Sequence, residues 1–275
     1  MEVEREIAGV RAAIAALKRP LGFVPTMGAL HAGHVRLVER SKERCASCVV
    51  SLFVNPLQFG ADEDLDRYPR DFAGDCEKLS KTGVDLLFAP EHAAMYPHGF
   101  ATSVDVGDLG RSFEGTVRPM HFRGVATVVT KLLHIVQPDV LLLGQKDAQQ
   151  TAVLGKLVRD LNFDVQLEVV PTAREEDGLA LSSRNVYLSA GERAAAPSLH
   201  AALLHVHGAI VAGTPMEIAR AEGRALLQAP GEWQYLDVVD AQSFEPLQTL
   251  RAPAFVIGAA RFGRTRLIDN VLVAA

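Results

Sequence analysis

The sequence predicts an α/β protein: a parallel sheet covered by helices on both faces, followed by a smaller α+β region. Up to about residue 172, short apolar runs alternate with helical patterns, which is typical of parallel sheets. Beyond that point three strand-like runs follow one another without a long helix between them, which indicates an antiparallel sheet. We therefore expect one domain at 1–172 and a second at 173–275, with ligands held in a cleft that the second domain closes.

The individual elements follow from the same patterns. An opening helix at 1–20 is expected to end at Pro20. The predicted strands are 21–24, 48–54, 84–89, 139–143 and 165–170, and then 234–241, 254–260 and 265–272. The predicted helices are 35–47, 71–82, 122–137 and 148–161, and then 190–212 and 215–228, broken at Gly213-Thr214-Pro215. Ligands of parallel sheets bind at the carboxyl ends of the strands, so we expect a site in the loops that follow them.

Composition limits the kind of protein. The 275 residues can bury a sizeable core, and 48% hydrophobic with 22% charged residues is typical of a soluble globular protein. The net charge of −5 argues against a general nucleic-acid surface. The first residues are charged, and no apolar run reaches the ~18–20 residues that a membrane helix needs, so we expect a cytoplasmic protein with no membrane partner.

The three cysteines include a Cys-x-x-Cys pair, Cys45 and Cys48, whose spacing allows a redox or zinc role. A structural zinc site would need a second ligand pair, and Cys76 is alone. The pair also lies at a helix end rather than at a helix start, where a thiolate would be favoured. We expect all three to be small core residues.

The segment 25–34, Pro-Thr-Met-Gly-Ala-Leu-His-Ala-Gly-His, is the most informative part of the chain. It joins a buried strand to a helix, and a helix start presents N–H groups and a positive dipole to an anion. His31 and His34 are three residues apart and share one face of the first turn. Two imidazoles there suit a polyphosphate that gains charge during a reaction. The alternative is a glycine-rich turn with two surface histidines.

Two further segments follow the second strand. Gln58, in Asn-Pro-Leu-Gln-Phe, can both donate and accept hydrogen bonds, although Asn55-Pro56 also suits a plain turn. The acidic run at 62–71 is typical of a solvated loop. Asp75 is a candidate neighbour of Mg²⁺, which prefers water, phosphate and one or two carboxylates. The segment 118–125 places two arginines and His121 at the start of a helix. The alternative interpretation is a plain capping turn.

Two segments in the middle and second half of the chain also suit phosphate. The segment 143–150 follows a strand, and Lys146 is a point charge suited to phosphate, whereas Asp147 is equally well placed to cap a helix. In the segment 177–185, the hydroxyls of Ser182 and Ser183 precede the guanidinium of Arg184, which together can clamp a phosphate.

Taken together, these segments resemble the pantothenate synthetase (pantoate–β-alanine ligase) family of the HxGH nucleotidyltransferase superfamily. The likeness covers nearly the whole chain, with its motifs in family order, from His-x-Gly-His through Asn-Pro-x-Gln-Phe, Arg-Pro-x-His-Phe-Arg-Gly-Val and Lys-Asp-x-Gln-Gln to Asp-Gly-Leu-Ala-x-Ser-Ser-Arg-Asn and the ending Arg266–Asn270. The family form Gly-Glu-Lys-Asp has Glu where this chain has Gln145, so this chain has one negative charge fewer and no carboxylate at that position.

The resemblance implies a Rossmann-like first domain and a two-step ligation: ATP activates the carboxylate of (R)-pantoate as pantoyl adenylate, and the amine of β-alanine then displaces AMP. It implies His31, His34, Lys146 and Arg184, with Mg²⁺, as the groups that stabilise phosphate charge, His34 being the proton donor of the family. Gln58 and Gln150 would hold pantoate, and the segment 118–125 would pack near the cleft. The implied ATP-binding residues are Met27, Gly28, Ala29, Leu30, His31, Ala32, Gly33, His34, Gly144, Gln145, Lys146, Asp147, Ala173, Leu181, Ser182, Ser183 and Arg184. The family also suggests a homodimer.

Two alternatives stay open at this point. Another HxGH enzyme, which transfers AMP to a phosphate ester, would share the first motif but gives no reason for Gln58 and Gln150. A nucleotide-binding protein without catalysis is disfavoured by the presence of the four residues suited to phosphate charge, His31, His34, Lys146 and Arg184. A class I aminoacyl-tRNA synthetase is disfavoured by the length and by the lack of a basic face.

Overall fold

The computed structural model describes residues 1–60, 63 and 65–274. The chain forms two units, one of Met1–Gly144 with Val153–Val170 and the other of Gln145–Ala152 with Pro171–Ala275. The sequence analysis counted residues 145–152 with the first domain, whereas here they group with the second unit. Gly144 and Gln145, which are neighbours in one predicted motif, therefore belong to different units.

The first unit is built on a parallel sheet. Its strands are β1 (Glu2–Glu4), β2 (Leu21–Thr26), β3 (Ser47–Leu52), β4 (Leu86–Phe88), β5 (Val140–Gly144) and β6 (Gln166–Val170). Within the described ranges the sheet has six strands in the order β1-β4-β3-β2-β5-β6, and all neighbours run parallel. This confirms the fold predicted for the first part of the chain.

Helices cover both faces of this sheet. They are α1 (Ile7–Ala15), α2 (Ala32–Arg44), α3 (Phe72–Lys81), α4 (His92–Met95), α5 (Glu114–Val117), α6 (His121–Val136) and α7 (Ala148–Asp160), of which residues 148–152 belong to the second unit. Successive strand residues face opposite cores, because side chains alternate along a strand. Phe23 packs with buried residues of α6 on one face, while Val24 packs with Leu37 and Val38 of α2 on the other.

The start of the chain differs from the expectation of a helix over 1–20. Residues Glu2–Glu4 form the edge strand β1, in which Glu2 pairs with Leu86 and Glu4 with Phe88 of β4. The helix α1 begins only at Ile7. Charged side chains at a sheet edge can stay in solvent while their backbone pairs, which the hydrophobic pattern alone does not reveal.

The second unit is α+β, as predicted. Its helices are α8 (Ala190–Ala195), α9 (Pro197–Val211) and α10 (Met216–Ala225), and its strands are β7 (Gly231–Asp240), β8 (Ala254–Phe262) and β9 (Thr265–Val273). In the part of the chain that the structure describes, these three strands form an antiparallel sheet in the order β7-β8-β9.

One helical stretch, Ala190–Val211, is long and apolar enough to cross a membrane by length and composition alone. The sequence analysis predicted a helix at 190–212 but no apolar run long enough to cross a membrane. Ser189 caps its start in a capping box with Glu192, and Pro197 divides it into α8 and α9. Leu203 and Val206 of α9 are fully buried in the core formed with the antiparallel sheet, so we interpret it as a core helix.

The cysteines behave as the sequence analysis expected. Cys45 and Cys48 are buried free thiols in the core beside α2, and Cys76 is a partly buried thiol packed against the same core. Burial raises the pKa of the Cys48 thiol to about 11 and also raises the pKa of Cys45. Thiols held in this way are poor nucleophiles at neutral pH.

Candidate active site

The turn between β2 and α2 carries the two histidines of the first motif. Gly28 and Ala29 both have positive φ, at 88° and 51°, which gives a sharp turn after the strand. His31 is the N-cap of α2, in extended conformation, and His34 occupies the third helical position. The two histidines therefore lie on the first turn, as the sequence analysis predicted.

His31 and His34 form a reciprocal capping box. Nδ1 of His31 accepts a hydrogen bond from the backbone N–H of Gly33 at 3.2 Å, and Nδ1 of His34 accepts from the N–H of His31 at 3.3 Å. Their ring centroids lie 4.2 Å apart. Because Nδ1 accepts in both rings, the neutral tautomer of each carries its hydrogen on Nε2, where it can donate to an anionic oxygen.

Asp75 holds the same turn from α3. Its two carboxylate oxygens accept hydrogen bonds from the backbone N–H groups of Ala29 and Leu30, both at 2.8 Å, and the side chain is almost fully buried. A carboxylate accepting two backbone N–H bonds stabilises a turn that would otherwise have unpaired donors. The sequence analysis offered Asp75 as a neighbour of Mg²⁺, but these contacts make it a support of the turn.

Gln58 lies beyond the end of the neighbouring strand β3, in a short 3₁₀ turn over Pro56–Gln58, and is buried. Thr26 and Leu52, the last residues of β2 and β3, pair with each other, so both motifs leave the same edge of the sheet. The structure brings Gln58 to Met27, with Nε2 lying 2.9 Å from the thioether sulfur. Two of the predicted binding residues are therefore in contact.

Two side chains of the segment 118–125 contact the backbone carbonyl oxygen of Gln58. Arg118 donates to the Gln58 carbonyl oxygen at 3.1 Å, and Nδ1 of His121 lies 3.0 Å from the same oxygen. Gly124 allows this approach, since a Cβ there would lie 2.1 Å from the carbonyl oxygen of Leu57. This fits the expectation that the segment lies close to the site, but the sequence did not show which contacts it makes.

Arg118 lies beside two titratable side chains, Glu63 and His121. Arg118 also forms a two-point contact with Glu63, through Nε at 2.9 Å and Nη2 at 2.5 Å. Burial opposes ionisation of Glu63, but the hydrogen bonds and charge of Arg118 leave its pKa below the usual value. Burial, followed by the charge of Arg118, lowers the pKa of His121 to about 4, so this imidazole is neutral at physiological pH.

In the second unit, Asn270 of β9 holds the segment that contains Lys146. Its side-chain nitrogen donates to the backbone carbonyl oxygens of Gln145 and Lys146 at 2.9 and 3.0 Å. Its side-chain oxygen accepts a hydrogen bond from Nε2 of the Gln145 side chain at 3.2 Å. Residues Gln145–Asp147 form a 3₁₀ turn before α7. Asp147, for which the sequence left capping and ligand roles open, lies 3.6 Å from the Lys146 ammonium. Gln150 lies on the first turns of α7 and is partly buried.

Asp269, the residue before Asn270, supports the loop that contains Ser182–Arg184 through its contact with Arg174. Arg174 makes a two-point contact with the buried carboxylate of Asp269 at 2.7 and 2.9 Å, and Nδ1 of His200 lies 3.0 Å from the same carboxylate. Burial opposes ionisation of Asp269, but the hydrogen bonds from His200 and Arg174 leave its pKa below the usual value. Arg174 also donates to the carbonyl oxygen of Gly178 at 3.1 Å, within the loop.

The remaining predicted residues of this loop are placed by local hydrogen bonds. The backbone N–H of Leu181 donates to the carbonyl oxygen of Ala173 at 2.9 Å, so these two predicted residues are neighbours. The hydroxyl of Ser182 caps a 3₁₀ turn, Ser183–Tyr187, by accepting from the N–H of Arg184 at 3.2 Å. Sequence reasoning missed Arg174, and it noted Asp269 only as part of the ending Arg266–Asn270, because these two complementary charges are far apart in the chain.

The profile of the pantoate–β-alanine ligase family matches residues 2–272. The chain belongs to this family. It is a ligase, which confirms the reaction class that the motifs predicted and sets aside both the adenylyltransferase and the non-catalytic alternatives.

Individual relatives agree with this assignment. The pantothenate synthetase of Rhizorhabdus wittichii is 49% identical over 99% of each chain, and that of Koribacter versatilis is 48% identical over all of this chain and 97% of its own. The crystal structure of pantothenate synthetase from Thermus thermophilus matches with a TM-score of 0.95 and 49% identity over both full chains. A pantoate–β-alanine ligase from Francisella tularensis, complexed with β,γ-ATP and β-alanine, matches with a TM-score of 0.81 and 32% identity over 99% and 97% of the chains.

Proposed function

We propose that this ligase joins (R)-pantoate to β-alanine in two steps, with ATP as co-substrate. In the first, a carboxylate oxygen of pantoate attacks the α-phosphorus of ATP, the bond to the β-phosphate oxygen breaks, and pyrophosphate leaves. In the second, the amine of β-alanine attacks the acyl carbon of pantoyl adenylate, the bond to the AMP oxygen breaks, and the nitrogen loses a proton. A relative whose structure holds an ATP form and β-alanine supports this choice of substrates.

The observation that carries the proposal is the capping box of His31 and His34. Both rings turn Nδ1 to the backbone, so each neutral ring has an Nε2–H donor at a helix start. Negative charge on the phosphates grows as pyrophosphate leaves, and donors fixed before the reaction stabilise that charge without reorganising. We assign His34 as the proton donor and His31 as its partner.

Lys146 and Arg184 complete the proposed charge stabilisation, and the neighbouring residues of both motifs contribute to ATP binding. The side chain of Asn270 donates a hydrogen bond to the backbone carbonyl oxygen of Lys146. The backbone N–H of Arg184 donates to the hydroxyl of Ser182. We further assign Gln58 and Gln150 to pantoate, since an amide can bind hydroxyl and carboxylate oxygens without adding charge. No side chain of this protein needs to act as a nucleophile, because the substrate carboxylate and amine do so.

Magnesium enters this proposal as part of the MgATP substrate. No group of three or more His, Cys, Asp or Glu side chains suited to a metal occurs among the described residues. Asp75 directs both oxygens to backbone N–H groups. Mg²⁺ is commonly held by substrate phosphates, water and only one or two carboxylates, so binding through ATP suits this chain.

We also propose a homodimer and a cytoplasmic location. The family resemblance supports the dimer, which light scattering on the purified protein would test. A reaction that consumes ATP, in a protein with free thiols at Cys45, Cys48 and Cys76, suits a reducing cytoplasm.

Pyrophosphate exchange tests the reaction scheme. The protein is incubated with MgATP, labelled pyrophosphate and pantoate, without β-alanine, and label in ATP is measured. Exchange that requires pantoate supports the adenylate, and adding β-alanine should give AMP and pantothenate in equal amounts. AMP formation only when both acids are present, with no exchange at any pyrophosphate concentration, would contradict the two-step scheme.

A further inference from the structure

A buried hydrogen-bond network surrounds the side chain of Asn55, the residue that precedes the Pro56–Gln58 turn. Its oxygen accepts from the Tyr96 hydroxyl at 2.7 Å and from the backbone N–H of Leu57 at 3.3 Å. Its nitrogen donates to the Gly124 carbonyl oxygen at 3.1 Å and to Oε1 of Gln58 at 3.0 Å. A backbone N–H can only donate and a carbonyl oxygen can only accept, so these two backbone groups show which end of the Asn55 amide is oxygen, and the shorter Tyr96 contact holds that oxygen in place.

This orientation is passed on to Gln58. Because the Asn55 nitrogen donates to it, the Gln58 oxygen is engaged, and Gln58 presents its NH₂ group on the other side, 2.9 Å from the sulfur of Met27. A thioether is a weak acceptor, which a better acceptor can replace. Gln58 therefore offers a donor, although a glutamine considered alone could offer either end.

The environment of Tyr96 holds its hydroxyl in the hydrogen bond to Asn55. Its ring is buried and packs against Phe53 and Phe100, with centroids 5.9 and 5.0 Å away. Burial raises the pKa of its hydroxyl, so the group keeps its hydrogen and donates. Without that hydroxyl the Asn55 oxygen would keep only the 3.3 Å contact from Leu57, and both amides would be freer to turn.

We propose that Tyr96 is a positioning residue for pantoate, which acts through Asn55 to make Gln58 a hydrogen-bond donor to a substrate oxygen. The inference rests on the assignment of Gln58 to pantoate made above. It goes beyond that assignment in two ways. It states that the Gln58 NH₂ group donates and a pantoate oxygen accepts, and it gives Tyr96 a role in the affinity for pantoate. Tyr96 itself touches neither substrate nor reacting atoms in this proposal.

The test is Tyr96→Phe, which removes the hydroxyl and keeps the ring. We expect KM for pantoate to rise about 3- to 10-fold, as for the loss of one hydrogen bond, with kcat changed less than twofold. KM for ATP and for β-alanine should stay close to wild type, and the melting temperature should fall by only a few degrees, since one buried hydrogen bond is lost. Tyr235→Phe, which removes a hydroxyl from β7 in the other unit, is the matched control and should leave KM for pantoate unchanged.

Two variants of Gln58 separate this inference from the assignment on which it rests. Gln58→Ala should raise KM for pantoate, and if it does not, the assignment of Gln58 fails and the inference with it. Gln58→Glu keeps an acceptor but loses the donor, so it should bind pantoate no better than Gln58→Ala, and wild-type affinity would overturn the proposed polarity. If Gln58→Ala raises KM but Tyr96→Phe does not, or if Tyr96→Phe raises KM for all three substrates alike, the role of Tyr96 is overturned while the assignment of Gln58 stands.

Discussion

Asn270 donates a side-chain hydrogen bond of 3.0 Å to the backbone carbonyl oxygen of Lys146. The same nitrogen donates to the carbonyl oxygen of Gln145 at 2.9 Å, so one side chain on a strand holds two successive residues of a distant turn. Asp269, its neighbour in β9, holds Arg174 in the loop that leads to Ser182. Two adjacent residues of one strand therefore support both segments of the second unit that we assign to phosphate.

The first prediction concerns Asn270→Asp. The substitution keeps the size of the side chain but places carboxylate oxygen against two carbonyl oxygens, which should displace Lys146. We expect kcat/KM for ATP in the exchange reaction to fall about 10- to 100-fold, as for the loss of two hydrogen bonds in a buried site.

The control for Asn270→Asp is Asn162→Asp, the same chemical change at an exposed residue beyond α7. It should leave kcat/KM for ATP within twofold of wild type, and both proteins should be checked by their circular dichroism. Unchanged ATP kinetics in a folded Asn270→Asp protein would show that Lys146 is positioned by other contacts or is not needed.

The second prediction is that Asp75→Asn destabilises the turn before α2. An amide can accept from only one of the two N–H groups of Ala29 and Leu30, and its own NH₂ would face the other. We expect the free energy of unfolding to fall by about 1–3 kcal/mol, the usual cost of an unsatisfied buried donor, with a parallel loss of activity. Urea unfolding measures the first effect and pyrophosphate exchange the second.

Asp71→Asn provides the control on the same helix. Asp71 is the exposed N-cap of α3 and accepts from the N–H of Gly74 at 3.0 Å. Asparagine caps helices about as well as aspartate, so this change should alter stability by no more than a few tenths of a kcal/mol. Equal stability of the Asp75→Asn and Asp71→Asn proteins would contradict the role given to Asp75.

Much of the fold could be predicted from local sequence, because buried strands and amphipathic helices have distinct apolar periods. The runs at Leu21–Thr26 and Ser47–Leu52 show this, as their residues are almost all buried. The edge strand Glu2–Glu4 was missed because it is stabilised by backbone pairing with β4, which leaves no apolar pattern.

The predicted site residues came from motifs, and the contacts that support them came only from the structure. The carboxylate of Asp75 reaches the turn at Ala29 from 46 positions away, and Asn270 reaches Gln145 across 125 positions. No local pattern specifies such pairings, since they depend on how distant elements pack. For the same reason Gln58 could be singled out from its motif, whereas the donor polarity imposed by Asn55 could not.

The third prediction tests His34 directly. His34→Ala removes an imidazole whose Nδ1 caps the turn and whose Nε2 we assign to phosphate. We expect a loss of about 10²- to 10³-fold in turnover, the usual effect of removing one charge-stabilising donor. Melting should fall only slightly, because the one hydrogen bond lost is the long, part-buried cap from the His31 N–H. His98→Ala, at an exposed histidine outside every motif, should keep full turnover. A His34→Ala protein with normal melting and near-normal turnover would refute the assignment.

The fourth prediction is a pH dependence of stability that originates at His121. In the folded protein its Nδ1–H donates to the Gln58 carbonyl oxygen, and its Nε2 lies 3.2 Å from the Arg118 guanidinium, which can only donate. A second proton would have to enter at Nε2, against that cation. Burial, followed by this charge, lowers the pKa of His121 to about 4, compared with about 6.5 in an unfolded chain.

The direction of the change in stability with pH follows from proton binding. Between pH 6.5 and 4 the unfolded chain binds a proton at this residue and the folded protein does not, so stability falls as the pH decreases through that window. The contribution of His121 over the whole window is about 3 kcal/mol. Urea unfolding of the wild type at pH 7, 6, 5 and 4.5 should show most of this loss.

His121→Asn isolates the contribution, because the asparagine amide can still donate to the Gln58 carbonyl oxygen but does not titrate. The variant should be less stable than wild type at pH 7 because of the smaller side chain, yet lose less stability on acidification. His134→Asn, at an exposed histidine near the end of α6, should keep the wild-type slope. If the wild type and His121→Asn lose equal stability between pH 7 and 4.5, His121 is not the buried neutral imidazole described above.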